Sequence, residues 1–211
     1  MNTFCFKQPI SNILVSNFSQ LALAISLSDV KAHLRITFNQ EDAHITNLIK
    51  TATQRFEGIT GIDLITKEYK TFLDNFPLYY NHFGNYEPIK IKRSKLQSIV
   101  SIKYYLNEVL TTFASSNYYF TESNNYSEIF LYETKEYPDD IDNRANAVVI
   151  NFTSGFGASE ANIPFDYKQA IMEYIAFLYK NRGDACCNNM GIASQFFTGY
   201  QKEIFIWYYG Q

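Results

Sequence analysis

The sequence is short of the residues that most often carry chemistry. Its 211 residues include three histidines, three cysteines and one tryptophan. His33, His44 and His82 have no metal-ligand spacing and form no H-E-x-x-H pattern. His33 and His44 also lie off the apolar stripes of the helices predicted below, so they are expected on solvated faces. Cys5, Cys186 and Cys187 make an odd count without paired CxxC units, which suggests neither a disulfide framework nor a zinc site and fits a reducing compartment. The adjacent Cys186 and Cys187 stand in no redox motif. Neither a metal nor a cofactor is expected. No run reaches the ~18 consecutive apolar residues of a membrane span. Residues 10–27 are too often interrupted, by Ser11, Asn12, Ser16, Asn17, Ser19 and Gln20, for the core of a signal peptide. A soluble chain, cytosolic at synthesis and free of membrane, is the expectation. Basic excess is lacking too: 18 Lys and Arg stand against 21 Asp and Glu, for a net charge of -3, which argues against a protein built to clamp nucleic acid through its phosphates.

What is present is ample for folding. Hydrophobic residues make up 46% and charged residues 18%, far from the composition of disordered chains. The aromatic share of 17%, with 17 Tyr and 18 Phe, suits pleated sheets and the cores of protein interfaces. A length of 211 residues allows one domain with a full core, or a small domain carrying an insertion.

Periodicity divides the chain. Ser26 and Asp29 frame an S-x-x-D start, and Leu27, Val30 and Leu34 follow at helical spacing, which predicts a helix over 28–36. A second helix is predicted over 39–60. Glu41 and Asp42 lie where the helix dipole favours negative charge, the stripe is Ile45, Leu48, Ile49, Ala52, Phe56 and Ile59, and Gly61 is the cap. From 64 to 152 the period falls to two, in runs at 89–92, 99–106, 118–120, 129–132 and 148–152, separated by turn formers such as Asn107, Asn124, Asn125 and Pro138. An antiparallel sheet of about five or six strands is expected there. Helix returns over 164–182, with Pro164 at its first position and Tyr167, Ala170, Ile171, Tyr174, Ile175 and Leu178 as its stripe. The predicted class is α+β: a small helical bundle of two N-terminal helices and a returning C-terminal helix, with an antiparallel β-sheet region inserted. One subunit is expected over 1–211, with N-terminal helices in 26–61, the β region in 62–157, the last helix in 162–183, and a linker and C-terminal arm in 184–211. Leu34, Ile49, Phe56, Ile171 and Ile175 should be buried together.

Four features invite a chemical reading. Ser154-Gly155-Phe156-Gly157 contains a G-x-G after a strand, but the third glycine, a following lysine and an acidic ribose partner are missing, which leaves a strand-to-helix turn. Asp139 and Asp140 read as acidic turn residues. Lys90, Lys92, Arg93 and Lys95 form the one basic cluster; they could contact DNA or an acidic partner, and a solvated strand face is the plainer reading. Phe205, Ile206, Trp207, Tyr208 and Tyr209 form an aromatic end suited either to a partner's groove or to a final strand. No nucleophile has a recognisable base, and catalysis is not expected.

Two stretches carry a resemblance. Leu27-Ser28-Asp29-Val30-Lys31-Ala32-His33-Leu34-Arg35-Ile36, followed by Asp42 and an amphipathic helix to Thr60-Gly61, resembles the opening of the phage and prophage head-tail connector proteins, also called adaptors or head-completion proteins, which reads K-x-H-L-R and then D-D-x-L-I. Ala147 to Phe152, Thr153-Ser154-Gly155-Phe156-Gly157, Ile163-Pro164 and the helix ending Leu178-Tyr179-Lys180-Asn181-Arg182 resemble the family's later section. The likeness spans about 27–183. It implies a structural, non-enzymatic subunit of a homo-oligomeric ring, commonly twelve or thirteen copies, in the neck of a phage or gene transfer particle after cytoplasmic synthesis in a bacterial host. The implied partners are the portal protein, toward which the family's C-terminal region commonly reaches, and a tail-side connector or stopper protein, with DNA passing through the lumen in weak contact; the aromatic end at Phe205 to Tyr209 is the expected portal-binding arm. The alternative is a nucleic-acid-binding packaging factor.

Overall fold

The computed structural model describes residues 12–15, 22–77, 86–91, 93, 95–122, 127–182 and 190–200. Cys5, His82, Lys92, Asn124, Asn125, Cys186, Cys187 and the aromatic end Phe205 to Tyr209 lie outside the described residues. The chain is α+β with antiparallel sheets, and it divides into two compact units. One is Met1–Asn17 with Lys67–Ser154; the other is Phe18–Thr66 with Gly155–Gln211.

The second unit is helical. Helix α1 (Leu27–Leu34) starts where the Ser26 side chain accepts a hydrogen bond from the Asp29 amide at 3.1 Å, so the S-x-x-D start is a real cap. It ends at Arg35, whose left-handed conformation (φ 58) turns its own N–H and that of Ile36 back onto the last helical carbonyls. Helix α2 (Asp42–Thr60) starts three residues later than the sequence suggests, because residues 39–41 form a turn in which the Asp42 amide donates to the Asn39 carbonyl. Gly61, with φ 70, closes it as predicted. Helix α3 (Phe165–Lys180) places Pro164 one position earlier than expected, as an extended residue just before the first turn. A fourth helix, α4 (Met190–Phe197), lies where the sequence reads as linker. Asn, Gly and Ser dilute that segment, yet Ala193, Phe196 and Phe197 keep helical spacing, and Ala193 and Phe197 are buried.

These helices share one apolar core that includes Val30, Ile45, Ile49, Phe56, Ile171 and Ile175. Leu34, expected in its middle, is only half-buried at its margin, because α1 ends there. Phe56 is fully buried, with its ring 5.2 Å from that of Phe197, edge to face, and 5.5 Å from Tyr167. Thr53 and Thr60 are buried without penalty because their hydroxyls donate to the carbonyls of Ile49 and Phe56 one turn earlier.

The first unit carries the sheets. Strands β1 (Asn12–Leu14), β2 (Lys67–Leu73), β8 (Val148–Ser154), β4 (Leu96–Leu106) and β5 (Val109–Phe113) lie side by side in that order, all antiparallel. Strands β3 (Ile89–Ile91), β7 (Ser127–Leu131) and β6 (Tyr118–Glu122) form a second sheet in that order. Eight strands among the described residues exceed the five or six expected: β3 matches the run at 89–92, whereas β1 lies before the region read as sheet and is too short to show a period, and the runs read in that region leave out β2 and β5. Alternation is cleanest in β2 and β8, which bury every second residue, including Tyr69, Leu73, Val148, Ile150 and Phe152. Both sheets contribute to one core, where Phe76 stacks on Tyr137 at 4.6 Å and leans on Phe113 at 5.5 Å.

Candidate assembly site

The residues that carried the resemblance converge on the start of α2. Lys31 Nζ on α1 donates to Asp42 Oδ1 at 2.7 Å and to Asn39 Oδ1 at 2.6 Å. From the far end of the sequence, Arg182 donates to Glu41 Oε1 at 2.7 Å, and the Tyr179 hydroxyl donates to Glu41 Oε2. The Arg182 guanidinium also lies 4.9 Å from the Tyr179 ring centre, and the Asn181 side chain donates to the Phe177 carbonyl. Negative charge at a helix start meets the positive end of the dipole, so Glu41 and Asp42 are suited to anchor both cations. His33 and His44 stand exposed, as expected.

Electrostatics makes this cluster a tether. The hydrogen bond from Tyr179, followed by that from Arg182, holds the Glu41 carboxyl below the usual carboxylate range, and the Glu41 bond raises Tyr179. At neutral pH Glu41 is therefore an acceptor whose two oxygens are both engaged, a poor arrangement for moving protons. The depressed value fixes a sign. The tether's contribution is present above the unfolded carboxyl's pKa and is lost as pH falls through the lower, folded value. Glu41→Gln should thus melt below the native chain near neutrality, and the gap should close in acid. Thermal melts across that range test this; a gap independent of pH would contradict it.

The basic cluster meets acids of its own unit. Lys90, exposed on β3, pairs in register with Glu128 on β7, whose carboxyl burial pushes up and Lys90 pulls back. Lys95 Nζ lies 3.3 Å from Glu122 Oε1, and the Arg93 guanidinium is 4.9 Å from the Tyr69 ring centre. An opposing charge or ring for each described member weakens the cluster as a phosphate track. Asp139 and Asp140 are exposed, and among the described residues no group of three His, Cys, Asp or Glu side chains could hold a metal ion. No described helix is long and apolar enough to cross a membrane.

The G-x-G turn is a packing device. Gly155 has φ 135, and a Cβ there would lie 2.7 Å from the backbone of Ile65 and Thr66. A Cβ on Gly157 would meet the Asn162 side chain at 2.5 Å. Two backbone bonds, Thr66 N–H to the Gly157 carbonyl and Phe156 N–H to the Leu64 carbonyl, hold the strands of chain together. At Gly155 glycine is required because backbone passes against backbone.

One feature escaped the sequence reading. The β4–β5 hairpin turns on Asn107 and Glu108, both left-handed (φ 51 and 64), although the turn type favours glycine at the second position. Asp142 compensates by accepting from the Asn107 and Glu108 amides, each at 2.8 Å, while its own amide donates to the Tyr105 carbonyl. Arg144 covers the Tyr105 ring at 4.0 Å. The hairpin is braced, and it leaves Val109 and Leu110 exposed beside it. The sequence signal was Asn107, a turn former after the run at 99–106; the partner 34 residues away from Glu108 was invisible.

Charged groups are spent on internal tethers, and apolar side chains are left exposed on sheet edges. The profile of the phage gp6-like head-tail connector proteins matches residues 24–137, and the chain belongs to that family. It is a connector subunit. No curated protein matches. Among solved structures, a chain from the neck of an empty gene transfer agent (GTA) particle, computed with C6 symmetry, is similar with TM-score 0.71 and 18% identity, over 93% of this chain and 98% of that one. A chain of the virion of a native GTA particle aligns with TM-score 0.67 at 18% identity, and one from the native neck computed with C12 symmetry with TM-score 0.67 at 17%, over the same shares of each chain. At such identities the likeness is one of fold.

Proposed function

We propose that this connector subunit forms a homo-oligomeric ring in the neck of a phage or phage-like particle, between the portal and a tail-side connector or stopper, as a conduit for DNA. The observation that carries the reading is the family match, joined to a fold shared over nearly the whole chain with components of particle necks. In this reading the role is structural and not catalytic. Synthesis in the host cytoplasm precedes assembly. The packaging-factor alternative is disfavoured, because net charge is -3 and the described basic cluster faces its own acids and rings.

The arm at Phe205, Ile206, Trp207, Tyr208 and Tyr209 is proposed to bind the portal, since so aromatic a cluster is suited to a partner's groove. Its inner boundary is set by Tyr200, whose ring packs 5.6 Å from Tyr167 and 6.0 Å from Phe56. Deleting residues 201–211 should therefore leave a folded subunit that no longer co-sediments with portal rings. Retained binding by the folded truncation would move the contact elsewhere. A failure of the full-length protein to join portal rings as several copies would overturn the ring itself.

A further inference from the structure

Among the described residues, the five-stranded sheet ends in two open edges of matching character. At one end β5 (Val109–Phe113) exposes Val109 by 64% and Leu110 by 42%. At the other, β1 (Asn12–Leu14) and the next residue expose Ile13 by 55%, Leu14 by 38% and Val15 by 51%. Neither edge contains a charge or a proline, the usual devices that keep an edge from pairing. The β5 edge is further shaped in advance, by a non-glycine left-handed turn clamped on Asp142. Non-glycine residues held in such conformations by their surroundings are characteristic of functional sites.

We propose that the open β5 edge is occupied in the assembly by the β1 edge of a second copy of this chain. The inference rests on the ring reading. A ring of identical subunits needs two different, complementary patches on each, because head-to-tail contact repeats one patch against the other until the circle closes. One sheet with an apolar, uncharged edge at each end supplies such a pair. A partner recognised through charge would find nothing to pair with on either edge, whereas the chain itself carries the complementary strand. On pairing, one of Val109 and Leu110 would share a face with Ile13 and Val15 and the other with Leu14, which adds apolar contact on both faces to any backbone pairing.

The test loads the full-length protein onto rings of the particle's portal. Copies per ring are counted by native mass spectrometry, and Leu14→Cys and Leu110→Cys proteins are cross-linked singly and mixed with a short bismaleimide. Peptide mapping separates these links from any made by Cys5, Cys186 or Cys187. The expected result is a link between positions 14 and 110 in the mixture, which can only join two copies, and no 110-to-110 link from Leu110→Cys alone. Val109→Lys, folded by circular dichroism, should load fewer copies per ring. A 110-to-110 link in the Leu110→Cys protein alone would indicate a two-fold contact and overturn the proposal. Multiple native copies per ring without the mixed link would overturn it while leaving the ring reading intact. Portal rings that never carry more than one native copy would remove both.

Discussion

Gly155→Ala is expected to leave little or no soluble folded subunit. The new methyl would sit 2.7 Å from the Ile65 carbonyl group and the Thr66 amide, both backbone, so no side chain can swing aside to admit it. The conformation compounds the clash, since φ 135 is a region that L side chains rarely adopt. Strain and overpacking each cost about 1–3 kcal/mol, and together they approach the marginal stability of a domain. The backbone bonds linking Thr66 to Gly157 and Phe156 to Leu64 would be displaced with it. Gly58 is the control: within α2, with nothing inside 4 Å of an added Cβ, it should accept alanine with a gain of up to ~1 kcal/mol. Soluble yield and thermal melts decide the matter, and a Gly155→Ala melt equal to that of the native chain would refute the account.

Phe56→Ala should lower stability by about 3–5 kcal/mol, the range for truncating a buried phenylalanine whose cavity cannot collapse. Its ring is fully buried and is met by Phe197 at 5.2 Å, Tyr167 at 5.5 Å and Tyr200 at 6.0 Å. These neighbours come from α3, α4 and the turn after α4, and each is held by its own helix, so relaxation into the void is limited. For a chain of this size the melting point should fall by roughly 6–20 °C. Phe56→Leu, which keeps most of the volume, should lose much less. A negligible loss for Phe56→Ala would mean that the packing of Phe56 against α4 contributes nothing, and that the segment is peripheral after all.

The helical half of the chain was the more legible. A stripe such as Ile45, Ile49, Ala52 and Phe56 is fixed by a single backbone period, and caps such as Ser26 and Gly61 act within three or four residues, so sequence neighbours hold the information. The segment at α4 was misread for the complementary reason. Its helix of eight residues is too short to persist alone, and it exists because Phe197 finds Phe56 and Tyr174. Leu34 was overestimated because a stripe gives the face of a helix but not how far a neighbour extends along it. At the candidate site, the basic cluster was visible as composition, while Glu122 and Glu128 opposite it are brought there by strand register.

By itself the sequence determined the α+β class, the three long apolar stripes and caps, and the motif order by which the family is recognised, since each is written in residues close along the chain. Only tertiary structure decided what those motifs do. Lys31 and Arg182 become tethers because folding carries them to Asp42 and Glu41, Gly155 becomes indispensable because another stretch of backbone passes beneath it, and Asp142 stiffens a hairpin remote from it in sequence. Local periodicity follows from the geometry of one backbone, whereas a contact across the chain exists only once every intervening element has packed.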